Sequence, residues 1–120
     1  MSLHSEKLQL VSLLEDTVPC LSYVPQRMTP PVAIITTGNP YLESGATYGT
    51  FVVRWQITLV FPTASADVSD EAMDNLVDDV VVLLVNNKYG VDNVSAPFAM
   101  EANNTQYLAI TVSTNKQINL

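Results

Sequence analysis

The eleven residues Phe51 to Phe61, FVVRWQITLVF, restrict this chain more than any other segment. Phe51, Val53, Trp55, Ile57, Leu59 and Phe61 occupy the odd positions, while Arg54, Gln56 and Thr58 fall on the even ones. Strict alternation over that length predicts a long β-strand with one buried face and one wetter face. A strand so long needs partners on both sides, so a sheet must form the core. The other elements have to cover its apolar face.

Helical spacing supplies the cover. Leu3, Leu10, Val11 and Leu14 form one stripe over 3–15, with Ser2 or Ser5 available as a cap and Pro19 ending the helix. A second helix is expected over 69–88. Ser69 caps it, Asp70 and Glu71 complement the dipole in its first turn, and Met73, Leu76, Val77, Val80, Leu83 and Leu84 recur at helical intervals. Lys88 and Gly90 supply its stop. Taken alone, Val80 to Val85 could equally be a buried strand, and the caps and length decide for helix. Its all-round apolarity implies cover from the sheet and from either the first helix or a neighbouring subunit.

Val32 to Thr37 is a compact β-branched strand. Pro19, Pro25, Pro30 and Pro31 leave an arm-like segment over 19–31, in which only Cys20 to Val24 can extend as an edge strand. The run 38–49 has no periodic pattern and holds three of the four glycines, which predicts a long loop, either functional or a wide connection. Val91 to Ala99 is a weak strand broken at Pro97. Tyr107 to Thr114 is a strong one after a turn at 101–105, and the tail from Asn115 is expected to be loosely held. The order α-β-β-β-α-β-β describes one α+β domain over 1–120: two layers, with a mixed or mainly antiparallel sheet packed by two helices.

Charge narrows the function classes. Charged residues make up 14% of the 120, against about 25% in an average domain. Too few charges remain to coat a monomer, which implies either apolar contact with another chain or a Ser/Thr/Asn-rich surface. Net charge is −7, and the five bases Lys7, Arg27, Arg54, Lys88 and Lys116 are scattered. Sequence-specific nucleic-acid binding is not expected without a basic cluster. A negative surface suits DNA that must slide past without sticking. The N-terminus lacks a signal-peptide pattern and no apolar run approaches about 20 residues, so a soluble protein made in the cytoplasm is expected, with no membrane contact.

No catalytic constellation emerges. His4 lies among polar residues of a terminal helix. One histidine and one cysteine, Cys20, cannot furnish a zinc site or a nucleophile pair within one subunit. Asp67, Asp70, Glu71, Asp74, Asp78 and Asp79 read as a solvated acidic face. A Mg²⁺ or Ca²⁺ site is the lesser alternative, because the D-x-D-x-D-G pattern is absent. No catalytic, cofactor or metal residue is therefore assigned, and no enzyme activity is expected. Tyr41, Leu42 and Tyr48 in the predicted loop, with Arg27 and Met28 at the tip of the arm, are the candidate interface residues. Arg54 and Gln56 are expected to face acids across the sheet.

With its N-terminal helix, Pro-led strand (Pro31 to Thr37), Pro/Gly-rich loop, long alternating strand (Thr50 to Phe61), acid-started helix (Ser69 to Lys88) and final strand from Tyr107-Leu108-Ala109-Ile110, nearly the whole chain resembles the tail terminator proteins of long-tailed bacteriophages. The resemblance implies a structural virion protein. It would form a hexameric ring on the last ring of tail-tube protein, stop tube polymerisation and offer its other face to the head–neck connector, with no cofactor. Another ring-forming neck or tube component is the next alternative, and a small metal-dependent enzyme using Asp74 and Asp78 the third.

Overall fold

The computed structural model describes residues 3–21, 32–45, 47–61, 66–102 and 105–119. In chain order these form α1 (Leu3–Glu15), β1 (Cys20–Leu21), β2 (Val32–Ser44), β3 (Thr50–Phe61), α2 (Ala66–Asn86), β4 (Gly90–Val94), β5 (Phe98–Ala102) and β6 (Thr105–Asn119). The strands make one mixed sheet in the order β1-β2-β3-β6-β4, with β5 pairing to β6 on the same side as β4. Among the described residues only β1 and β2 run parallel. This is the expected α+β architecture with a third strand after α2, because Pro97 splits the weak strand into β4 and β5.

The alternation of β3 sets the layers. Val53, Trp55, Ile57, Leu59 and Phe61 are buried beneath the helices, where Leu10 and Leu14 of α1 and Met73, Val80 and Leu84 of α2 join one core cluster. Residues directly opposite in an antiparallel pair share a face. The pairs Phe61↔Leu108, Leu59↔Ile110, Ile57↔Val112, Trp55↔Thr114, Val53↔Lys116 and Phe51↔Ile118 therefore place the even positions of β6 under the helices. On the opposite face Val32, Ile34 and Val60 form a second, smaller cluster flanked by Leu21 and Tyr107.

Four expectations are corrected. Strand β2 does not stop at Thr37: after a register shift, Leu42, Glu43 and Ser44 pair with Val53, Val52 and Phe51. The expected loop over 38–49 thus shrinks to the turn after Ser44. Among the described residues β1 covers β2 only at Ala33 and Ile34, which leaves Pro40 on an edge stretch that tolerates it. Gly38 is required there, since a Cβ at that position would lie 2.7 Å from the Cβ of Arg54.

The second helix runs over Ala66–Asn86 rather than 69–88, so Ser69 lies inside it. No proline lies between Pro62 and Asn86, and Ala66 to Val68 extend the helix upstream. Its C-terminus is a Schellman motif. The Tyr89 amide donates to the Leu84 carbonyl (2.9 Å) and the Lys88 amide to that of Val85 (3.2 Å), with Lys88 in the left-handed region at φ 67°. Lys88 therefore takes the position glycine usually fills, while Gly90 opens β4.

The turn expected at 101–105 is shorter, because β5 runs to Ala102 and β6 begins at Thr105. The tail is the fourth correction. Strand β6 continues to Asn119 and pairs with β3 from Arg54↔Asn115 to Thr50↔Asn119. Ser95 joins β4 and β5 into one interrupted edge: its amide donates to the Thr111 carbonyl (2.8 Å), and its Oγ accepts the Thr111 amide (2.9 Å).

Candidate assembly interface

Of the five candidate interface residues, Arg27 and Met28 lie outside the described residues. Tyr41 and Leu42 are half-buried on strand β2 and pack against the main core. Tyr48 is different. It is fully exposed, at 108% of its reference area, in the turn between β2 and β3.

That turn is rigidly built. The Thr50 hydroxyl donates to the Thr47 carbonyl (2.6 Å), the Thr50 amide reaches the same carbonyl (3.1 Å), and the Gly45 amide donates to the Thr50 carbonyl (2.9 Å). Gly49 adopts φ 86°, a conformation glycine takes without the Cβ clash. Tyr48 is thus held outward at the end of a hairpin, on a molecule 50 Å long and 27 by 23 Å across.

The helix layer carries further apolar surface. Leu8 of α1 is 47% exposed, and Val82 and Val85 of α2 are 56% and 57% exposed. Val82 and Leu83 line a groove of about 320 Å³ with Thr17, Asn86, Asp78 and Asp79. Glu71, Asp74, Asp78 and Asp79 are exposed. The side chains of Asp67 and Asp70 lie outside the description. Among the described residues no three His, Cys, Asp or Glu side chains converge in a way that could hold a metal ion, and no helix is long and apolar enough to cross a membrane.

The face of the sheet away from the helices is polar along its middle. Arg54 pairs with Glu43 of β2 and lies 3.8 Å from Asp92 of β4. Asn115 of β6 donates to Asp92 (2.8 Å). Acids flank Arg54 as the sequence leads one to expect, and the network ties four strands together across the face. Asn39, Gln56, Asn93 and Ser113 border it, around a cleft of about 300 Å³.

Sequence reasoning missed a buried ion pair. Glu6, 0% exposed, accepts a hydrogen bond from Lys116 Nζ at 2.9 Å. The ammonium lies 5.0 Å from the centre of the Tyr89 ring, which in turn stacks on Trp55 at 6.4 Å and 22°. Burial disfavours the Lys116 charge, but the hydrogen bond to Glu6 and the nearby Tyr89 and Glu6 outweigh it and hold its pKa above the ordinary 10.5. Burial also raises Tyr89 above 10.0, against the opposing influence of Lys116. Among the described residues Glu6 Oε1 and Trp55 Nε1 are buried without a partner, which makes this corner costly to hold. Cys20 is inert as a thiol: burial first, then the Glu15 charge, push its pKa up to about 12.

The chemistry of these surfaces is contact chemistry: a projecting aromatic, an apolar helix layer and a polar sheet face whose central charges are already paired. No protein-family model matches this chain, and no curated protein matches it.

Proposed function

We propose that this chain is a structural assembly protein of a phage virion. It forms a ring at the head-proximal end of the tail tube, stops tube polymerisation and presents a joining surface to the neck. The observation that carries the proposal is the fully exposed Tyr48 on a rigid hairpin, on a chain whose second helix leaves Val82 and Val85 uncovered. Apolar side chains held out in this way lose water only when another chain covers them. The low charge content points the same way, and the −7 net charge suits a channel through which DNA passes. Support for the tail terminator assignment itself comes from the element pattern described under Sequence analysis.

The mechanism is physical. A tube ring presents unsatisfied edges to the next ring; the cap fills them while showing a different outer face. Native mass measured across a wide concentration range, with negative-stain images of the same samples, tests the ring. A closed ring, six subunits by the resemblance, is expected. Open tubes of indefinite length would instead identify a self-polymerising tube component.

A further inference from the structure

We propose that the hairpin tip bearing Tyr48 docks into the α2 groove lined by Val82, Leu83, Asp78 and Asp79 of a second copy of this chain. The inference rests on the ring-forming function proposed above and names the contact that would build the ring.

Three observations on the two surfaces select a second copy as the occupant. The first is chemical fit. The groove pairs apolar Val82 and Leu83 with two exposed carboxylates, and a phenol offers an apolar ring and one hydroxyl donor. The second is size, since the depression, of about 320 Å³ and largely open to solvent, can take one aromatic ring.

The third is charge. A chain of net charge −7 repels its own copies at most surfaces, yet the stretch from Ser44 to Phe51 carries no charged side chain. It can therefore approach an acid-rimmed groove without like-charge repulsion. The hydrogen bonds that fix the Thr47–Thr50 turn order the tip beforehand, so little conformational entropy is lost on docking.

Tip and groove are different surfaces, so the contact is heterologous: each copy uses its tip on one neighbour and its groove on the other. Such contacts close into rings when the rotation between copies permits. Tip-to-groove docking also buries Val82.

The test uses the full chain and sedimentation over a concentration series. Tyr48→Ala and Val82→Asp should each weaken self-association at least about tenfold, as for a central aromatic anchor. Leu8→Asp, on the outer face of α1, should leave it unchanged. Far-UV circular dichroism and thermal melts confirm that each variant is folded, and Val82→Asn replaces Val82→Asp if the latter is not.

Mixing the Tyr48→Ala and Val82→Asp chains gives the sharper readout. One variant retains its groove and the other its tip, so a one-to-one heterodimer should form and grow no further. Wild-type association by both variants, loss through Leu8→Asp alone, or no heterodimer in the mixture would overturn the contact. A ring that persists in the Tyr48→Ala chain would do so while leaving the proposed function standing. A wild-type chain that stays monomeric throughout would also overturn the contact, and the ability to cap tubes would then judge the function separately.

Discussion

Truncation after Thr114 is expected to abolish the cooperative unfolding transition of this protein. The missing residues form the ladder with β3 from Arg54↔Asn115 to Thr50↔Asn119. Ile118, 5% exposed in the core, contributes about 1.5–3 kcal/mol by burial. Loss of Lys116 leaves the Glu6 carboxylate buried without its partner, which costs about 3–5 kcal/mol. Together these consume most of the stability of a small domain, about 5–15 kcal/mol. Urea melts followed by Trp55 fluorescence and circular dichroism read the outcome. An unchanged midpoint in the truncated chain would mean that the C-terminal segment is not part of the sheet.

The second large effect isolates the ion pair. Lys116→Met is expected to destabilise the protein by about 3–5 kcal/mol, because it removes one charge and leaves the other buried. Replacing both partners, Glu6→Leu with Lys116→Met, should recover wild-type stability or exceed it, since an apolar pair has no desolvation cost. Equal losses in the single and double variants would show that packing of the lysine stem, rather than its charge, matters.

The pH dependence has a definite sign. Lys116 and Tyr89 both have folded pKa values raised above their ordinary 10.5 and 10.0. Their contributions are therefore complete below about pH 10 and fade as the pH rises through the raised values. A Tyr89→Phe chain, which keeps the ring and removes the titrating hydroxyl, should lose less stability than wild type over that alkaline window.

The main frame was legible because its signals were periodic. Helix α1 occupies Leu3–Glu15, as the apolar stripe predicts, and the alternation of β3 and of Leu108, Ile110 and Val112 predicts which face is buried. Glu6 escaped notice because an acid in a first helical turn has a ready explanation in the dipole. Yet it lies four residues before Leu10, on the buried stripe. Lys116 falls in phase with the buried alternation of β6, two residues from Ile118. A charge on each buried face, of opposite sign, was the available signal.

The continuation of β2 was less accessible. Gly38-Asn39-Pro40 breaks the alternation, and only the register shift restores pairing at Leu42. The left-handed Lys88 was hidden by Gly90, a more conventional stop two residues later. Among the candidate interface residues, Tyr41 and Tyr48 looked alike in sequence. The extra strand pairs placed Tyr41 against the core and left Tyr48 alone at the tip.

The most direct measurement is polymerisation of a purified phage tail-tube protein in the presence of this chain, with tube lengths and ends imaged by electron microscopy. The proposed function predicts that elongation stops and that one ring of this protein sits at a single end of each tube. An unchanged length distribution, with no added density at either end, would contradict it.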